Sequence, residues 1–196
     1  MAFEIVTAED VTAVGRGGEL RVKPGTVVTD WAREIAHSRG VRLVETDGAA
    51  RLSIALGSDH GGFPLKEELK ARLMADFAVR DVGTHGLDPV DYPDFAAAVG
   101  RLVATSQCDF GVMIDAAGIG SAMAANKIRG VRAAMCNDAA ASRNAREHND
   151  ANVMTLGAKF VDLASALSLV QLFVGTTCVE DRHKRRVAKI AALERN

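Results

Sequence analysis

The chain has 196 residues and a formal net charge of −1, and 48% of its residues are hydrophobic, 25% charged and 5% aromatic. These values predict a soluble globular protein and argue against a nucleic-acid partner, which a basic or aromatic-rich surface would indicate. No apolar run has membrane-spanning length and the N-terminus lacks a basic-then-apolar signal, so we expect no membrane partner and a cytoplasmic location.

Residues 1–48 are predicted to form a small N-terminal extension. Thr7 opens a short helix with a capping box, and Thr29 precedes a second helix, residues 30–39, that Gly40 ends. The other predicted features of this segment are a turn at Lys23–Gly25, a strand at Val41–Val44 and a linker at Thr46–Ala50. Because about 45 residues bury little apolar surface, we expect this segment to dock on the main domain or on a partner.

From residue 51 onward, short apolar strands alternate with helices, which predicts one domain, residues 51–196, with a parallel sheet and helices on both of its faces. By analogy with flavodoxin-like proteins we expect five strands in the order 2-1-3-4-5. The predicted strands are residues 52–56, 79–82, 112–114, 131–136 and 153–156. The predicted helices are residues 63–75, 94–105, one that ends near Glu147, 161–174 and 182–195. No internal repeat is apparent.

The first of these helices, residues 63–75, has two predicted faces. Its leucines recur at helical spacing and are expected to face the core: Leu65, Leu69 and Leu73. Its charged residues are expected to face solvent: Lys66, Glu67, Glu68 and Lys70.

The central stretch runs from Phe110 to Lys127 and combines a buried strand, a glycine turn at Gly118–Gly120 and a helix. Free N–H groups at such a turn favour an anion or an oxyanion. Asp115 is the first residue after the strand, where open parallel sheets bind their ligands. The alternative is that Asp115 only caps the helix while the glycines only turn the chain.

Other polar residues fall near the ends of the predicted strands, and each has a simpler explanation as a turn, a helix cap or a solvated face. Together, carboxylates, imidazoles and guanidinium groups around one glycine cradle indicate a site for a small phosphorylated, hydroxylated ligand. These residues are Asp59, His60, Asp91, Tyr92, His148, Asn149, Asp150, Arg182, His183, Arg185 and Arg186.

Four motifs in this order resemble the ribose-5-phosphate isomerase B and galactose-6-phosphate isomerase family: Gly57–Lys66, Asp91–Asp94, Gly118–Lys127 and Arg146–Asp150. The resemblance covers Leu52 to Glu194. It implies a Rossmann-like three-layer α/β/α sandwich and aldose–ketose isomerisation of a sugar phosphate. It also implies a homodimer or homotetramer with active sites shared between subunits, and neither a metal nor an organic cofactor.

The resemblance implies roles for the residues at the sugar end of the ligand. Asp59 and His60 would touch the sugar and its phosphate end, and Tyr92 would line the pocket. His148 would assist ring opening as an acid or base, and Asn149 would hold hydroxyl groups. The amides of Gly118, Ile119 and Gly120 would stabilise the enediolate oxygen.

The resemblance also implies a set of phosphate-binding residues, which all carry or can carry positive charge: His60, Lys159, Arg182 and Arg186. Lys159 stands where the compared members have arginine, so it offers a point charge in place of a planar fork.

The sequence departs from the family at the catalytic base. One branch of the family has a cysteine at the position of Asp115, and another has a glutamate at the position of Ser121; Ala117 replaces a hydroxyl residue of the cysteine branch. The cysteines Cys108, Cys136 and Cys178 stand elsewhere, and their spacing predicts reduced thiols with no disulfide or zinc site. We therefore expect Asp115 to be the base, because a carboxylate within reach can serve as one.

Three functions remain open at this point. The first is isomerisation of ribose 5-phosphate to ribulose 5-phosphate, and the second is isomerisation of another four- to six-carbon sugar phosphate. The third is a catalytically silent sugar-phosphate-binding or assembly subunit. The retained polar residues favour the first two functions, and the changed base favours the last two.

The N-terminal extension carries a weaker resemblance. Residues 22–41 resemble short segments in some enzymes of bacterial microcompartments, which implies a docking role on a microcompartment component and a location inside one. Trp31 and Ile35, with Ala32 and Ala36, form an apolar stripe on the second helix that something is expected to cover. The alternative is that this stripe packs on the protein's own dimer.

Overall fold

The structure is a computed structural model that describes residues 5–22, 26–45 and 51–195. The chain divides into two compact units, residues 1–51 and 52–196. The predicted turn at Lys23–Gly25 and the predicted linker at Thr46–Ala50 lie outside the described residues. None of the helices in the described ranges has the length and apolar character needed to span a bilayer.

The N-terminal unit contains two strand–helix–strand segments that pair with each other. Its elements are β1 (Ile5–Val6), α1 (Ala8–Ala13), β2 (Glu19–Val22), β3 (Val27–Val28), α2 (Asp30–Arg39) and β4 (Arg42–Glu45). Strand β1 pairs with β3 and β2 with β4, both in parallel. The two segments therefore have the same order of elements, and their corresponding strands pair.

Both predicted helices of this unit are confirmed. The Asp10 carboxylate accepts hydrogen bonds from the N–H and the hydroxyl of Thr7, and Thr29 Oγ1 accepts one from Ala32 N. Gly40 ends α2 at φ 66°. Two members of the predicted stripe on α2, Ala32 and Ala36, are buried, and a third, Trp31, is 61% exposed.

The second unit is a three-layer α/β/α sandwich around a five-stranded parallel sheet. Its strands are β5 (Ser53–Ser58), β6 (Ala78–Asp81), β7 (Phe110–Asp115), β8 (Ala133–Met135) and β9 (Val153–Gly157). Its helices are α3 (Phe63–Leu73), α4 (Tyr92–Ala104), α5 (Ile119–Ala125), α6 (Ala139–Asn149), α7 (Leu163–Gly175) and α8 (Asp181–Ala192), and a 3₁₀ turn follows at Leu193–Arg195.

The predicted fold class is confirmed, and the last two strands stand in exchanged positions. The sheet order is β6-β5-β7-β9-β8, which is 2-1-3-5-4 when the five strands are numbered along the chain. Strand β9 is buried over all five of its residues, and β8 has three residues, none of them fully buried. A short strand with exposed side chains suits the outermost position of the sheet, so the longer apolar strand takes the position beside β7.

Alternate residues of the central strands build the two cores. Ile114 and Leu156 belong to the face covered by α3, α6 and α7. Met113 and Val153 belong to the face covered by α4 and α5. Because adjacent strands are parallel, the carboxyl ends of β5, β7 and β9 lie beside one another at one edge of the sheet.

The prediction for Lys66 is wrong, because its side chain is completely buried. Its Nζ lies 2.6 Å from Asp81 Oδ2 and 2.5 Å from Glu67 Oε1. Burial opposes ionisation of Asp81, but hydrogen bonds from Lys66 and Lys70 outweigh it and lower the pKa of Asp81 to about 2. A buried ammonium is tolerated where carboxylates pair it, and helical spacing alone does not show where those partners come from.

Candidate active site

The carboxylate of Asp115 is the most heavily hydrogen-bonded group of the candidate site. It ends β7 and is 5% exposed. Its Oδ1 accepts hydrogen bonds from Ala117 N at 2.7 Å and from Gly118 N. Its Oδ2 accepts hydrogen bonds from Ser121 N at 3.2 Å and from the Ser121 hydroxyl. An ionised carboxylate has about four acceptor positions, so these four donors occupy all of them.

The glycine turn folds tightly around that carboxylate. Gly118 adopts φ 80°, and a Cβ there would lie 3.0 Å from the carbonyl carbon of Leu156. A Cβ at Gly120 would lie 2.6 Å from the ring of Tyr92. Glycine is therefore needed at both positions: at Gly118 for backbone conformation and close packing, and at Gly120 for the approach of an aromatic ring.

The expected oxyanion cradle is partly filled by the chain itself. The N–H groups of Ala117, Gly118 and Ser121 point at Asp115. The N–H groups of Ile119 and Gly120 have no acceptor among the described residues. Two of the three amides that the resemblance assigns to the enediolate oxygen are thus available in this conformation.

Other predicted residues lie at the same edge of the sheet. Asp59 is buried after β5, and its Oδ1 accepts a hydrogen bond from Gly62 N at 2.9 Å. The Nδ1 atom of His60 lies 3.2 Å from both the N and the O atom of Val90. Lys159 follows β9, where its backbone N–H bonds to Ala116 O at 3.2 Å. We call this set the cradle cluster: Asp59, His60, Tyr92, Asp115, Gly118, Ile119, Gly120, Ser121 and Lys159.

The remaining predicted residues lie at the opposite edge. His148 and Asn149 end α6, which runs antiparallel to the strands and leads into the start of β9. Arg182 and Arg186 are exposed on α8, whose His183 stacks on His148 with ring centroids 4.1 Å apart. We call this set the histidine cluster: His148, Asn149, Arg182, His183 and Arg186. Strand β9 separates the clusters, and five residues at ~3.3 Å each span about 15 Å.

One turn of the chain holds the histidine cluster in place. The Arg146 guanidinium bonds to Asp150 Oδ1 and to Ala151 O, both at 2.7 Å, and to Thr176 O at 3.2 Å. Arg132 bonds to Asp150 from the other side at 3.0 Å. These contacts fix the end of α6 against the segment that precedes α8, and so set the distance between the two histidines.

Sequence reasoning missed two features of the site. The saturation of Asp115 depends on where the turn places its N–H groups, and no residue pattern reports that. The pairing of His148 with His183 joins residues 35 positions apart on different helices, although the predicted cluster of Arg182 to Arg186 contains His183.

Within the described ranges, no three His, Cys, Asp or Glu side chains converge to hold a metal ion. The three cysteines are free thiols, and burial raises the pKa of Cys136 to about 12.

The sequence and the structure were compared with known proteins. A family model described as ribose/galactose isomerase matches residues 54–190. The ribose-5-phosphate isomerase B of Escherichia coli is 39% identical over 142 residues, which are 72% of this chain and 95% of that protein.

Two solved structures are similar to the second unit. The Clostridium thermocellum ribose-5-phosphate isomerase B is 43% identical, with a TM-score of 0.71 over 74% of this chain and 98% of that one. The Mycoplasma genitalium ribose-5-phosphate isomerase B with bound ribulose 5-phosphate is 36% identical, with a TM-score of 0.71 over 76% of this chain and 99% of that one.

Proposed function

The chain belongs to the ribose/galactose isomerase family and is a sugar-phosphate isomerase, and we propose that it interconverts ribose 5-phosphate and ribulose 5-phosphate. The observation that carries the choice of substrate is the likeness to the Mycoplasma genitalium enzyme, which holds ribulose 5-phosphate and matches this chain over 99% of its own length. The retained Asp59, His60 and His148 support isomerisation of a sugar phosphate of either kind.

We propose that Asp115 is the base, acting after the Ser121 hydroxyl turns away from Oδ2. A hydroxyl rotates at little cost, whereas the three backbone donors are fixed by the turn. The freed lone pair takes the proton from C2 of the open aldose, the C–H electron pair forms the C1–C2 double bond, and the carbonyl electrons move to O1. Return of that proton to C1, with transfer of a proton from the C2 hydroxyl to O1, gives the ketose.

The enediolate oxygen would lie at the amides of Ile119 and Gly120. Asp115 already uses the neighbouring N–H groups, so these two are the donors that remain at the turn. Preorganised N–H groups stabilise the charge that develops on oxygen in the transition state. The exposed Tyr92 ring packs over Gly120 and would form one wall of the sugar pocket.

We propose that a second copy of the chain completes each active site. The cradle cluster and the histidine cluster lie at opposite edges of one sheet, so one chain cannot bring both to a single five-carbon ligand. Large apolar side chains are exposed beside the cradle, as expected of a surface that another subunit covers: Ile119, Met123, Met135 and Phe160. Lys159 and the arginines Arg182 and Arg186 would then reach one phosphate from different subunits. A homodimer or a homotetramer satisfies this arrangement.

A mixing experiment tests the shared site. Asp115→Asn and His148→Asn variants, each nearly inactive alone, are unfolded together and refolded. If sites are shared, half of the dimers are mixed and each has one intact site, so about a quarter of all sites regain activity. Activity that stays at the level of the separate variants would contradict the shared site.

A coupled assay of the purified full-length protein on four- to six-carbon aldose phosphates tests the substrate. We expect the highest kcat/KM with ribose 5-phosphate. Higher kcat/KM with another chain length would instead support the second candidate, an isomerase of a different sugar phosphate, which the change of base at Asp115 favours. Binding of sugar phosphates without turnover of any of them would contradict both.

We further propose that residues 1–48 are an assembly segment, inside or outside a microcompartment. Ile5 and Val27 are cross-strand partners and both are exposed, as is Trp31 on the following helix. Deletion of residues 1–48 tests this. Loss of the oligomer would show that the segment packs on its own assembly, and an unchanged, soluble oligomer would support a docking role on another protein.

A further inference from the structure

The two stacked imidazoles of the histidine cluster differ in their surroundings. His183 is 4% exposed, and neither of its ring nitrogens has a hydrogen bond among the described residues. Buried polar side chains nearly always have partners, so this exception calls for a reason. The His183 ring stacks face to face on the His148 ring, with an angle of 19° between the two ring planes.

The charges around His183 oppose a second proton in this cluster. Burial is the largest cause that lowers the pKa of His183, and the positive charges of His148, Arg182 and Arg186 lower it further. Glu180 acts in the other direction. Its Oε2 lies 3.7 Å from His183 Nε2. The same oxygen lies 2.5 Å from Arg182 Nε, and this ion pair weakens the effect of Glu180 on His183.

The Asp150 carboxylate at the neighbouring end of α6 is already paired with two arginines. On α6, the Arg146 guanidinium binds the Asp150 carboxylate, which Arg132 also contacts. This pairing occupies the Asp150 carboxylate, while Glu147, beside His148 on the last turn of α6, is half-buried. The stack consists of one buried ring, His183, and one half-buried ring, His148.

We propose that His183 is a positioning residue for His148, and that a positive charge on either ring of the stacked pair disfavours one on the other. The flat face of His183 fixes the orientation of the His148 ring. Two imidazoles in contact titrate as a unit, since a charge on one disfavours a charge on the other. This inference rests on the proposed ring-opening role of His148.

An imidazole held in a fixed position, as proposed for His148, suits ring opening. The catalyst must accept a proton from the anomeric hydroxyl and deliver one to the ring oxygen, so it has to alternate between its neutral and charged forms. A flat neighbour whose ring nitrogens make no hydrogen bond among the described residues holds the His148 ring in place without adding a competing partner.

The first test needs no substrate. Histidine ring ¹H–¹³C correlation spectra of the full chain are recorded against pH for the parent protein, for His148→Gln and for the control His37→Gln, which lies in the other unit. We expect the titration midpoint of His183 to rise by roughly half to one pH unit in His148→Gln and to stay in place in the control. An unchanged midpoint in His148→Gln would overturn the coupling, whether or not ribose 5-phosphate is turned over.

The second test separates ring face from ring nitrogens. His183→Ala should lower kcat by roughly tenfold to a hundredfold with little change in KM, because it misplaces the His148 ring. His183→Phe keeps an uncharged flat ring and should restore most of that loss. Equal losses in both variants would show that the nitrogens of His183 act directly and would overturn the positioning role. Should His183→Ala fail to fold, the spectra of His148→Gln still decide.

Discussion

The two edges of the five-stranded sheet treat their polar groups in opposite ways. At the cradle edge, four donors from one short turn surround Asp115. At the other edge, His183 is just as buried but has no hydrogen bond among the described residues. The cradle is satisfied by local backbone, because the strand end and the turn are neighbours in the sequence. The histidine cluster is held by helix packing, which fixes ring positions without satisfying ring nitrogens.

This difference affects what each half of the site must change before it can transfer a proton. A saturated group must give up a bond before it reacts, whereas a stacked imidazole can exchange its proton without disturbing the backbone. Variants on the two edges should therefore have different effects. Substitutions in the cradle cluster should lower both turnover and stability, whereas substitutions in the histidine cluster should mainly lower turnover or affinity.

The largest effect is expected for Asp115→Asn. The amide nitrogen cannot accept from the backbone N–H groups that the carboxylate binds, and the amide is no base. We expect kcat to fall by about 10²–10⁴-fold for every substrate, together with a lower free energy of unfolding. Steady-state kinetics and urea unfolding measure the two effects.

Asp109→Asn is the matched control for that prediction. Asp109 precedes the same strand at its opposite end, and its carboxylate accepts hydrogen bonds from Ser53 N at 2.7 Å and Ser53 Oγ at 2.6 Å. This variant should lose stability and keep its turnover. Parent-level turnover in Asp115→Asn would place the base elsewhere.

The next effect separates substrates. His148→Asn should lower turnover of ribose 5-phosphate by roughly a hundredfold, because the ring must open before the C2 proton becomes acidic. It should spare a four-carbon aldose phosphate, which forms no stable ring. Parallel assays on both substrates measure the ratio, and equal damage to both would leave His148 as a helix cap only.

The sequence predicts the elements of the second unit and their motifs well, because strand and helix periods and glycine turns are local signals. The outermost position of β8 in the sheet could not be predicted in the same way, since strand order depends on which strands compete for burial. Lys66 shows the same limit: its spacing is that of a surface lysine, and only the arrival of Asp81 from a neighbouring strand makes its burial tolerable. The residues of both clusters were predicted, but their separation to opposite edges follows from helix direction.

A smaller effect concerns the anion. Arg182 and Arg186 lie one helical turn apart on α8, so both can face one phosphate. Replacing either with Ala should weaken binding of a phosphorylated sugar by about 1.5–3 kcal/mol. Lys184 lies on the other side of that helix, so Lys184→Ala is the control. Calorimetric titration with ribose 5-phosphate measures the affinities, and equal affinity in Arg182→Ala, Arg186→Ala and the parent would remove these arginines from the phosphate site.

The pH dependence of stability should differ between two ionisable groups, Asp81 at the cradle edge and His183 at the opposite edge. At the end of β6, Asp81 has its pKa lowered from 3.8 to about 2. Its stabilising contribution is complete above pH 3.8 and is lost as the pH falls toward 2. After allowance for solvent screening it amounts to about 1–2 kcal/mol. Between pH 5 and 7 this group should leave the free energy of unfolding unchanged.

His183 should give the smallest effect, in the window where Asp81 gives none. Its pKa in the folded protein is lowered from 6.5, by burial first and by the positive charge of His148 second. Below pH 6.5 the unfolded chain binds a proton at this residue that the folded chain does not, so stability falls as the pH drops from 6.5 toward the folded-state value. Above pH 6.5 both states are neutral there and the contribution is constant. Urea unfolding at pH 5.5 and 7.5 should show a smaller loss on acidification in His183→Phe than in the parent, and in His37→Gln the loss should equal that of the parent. A loss in His183→Phe as large as that of the parent would mean that this buried ring is not the group that titrates.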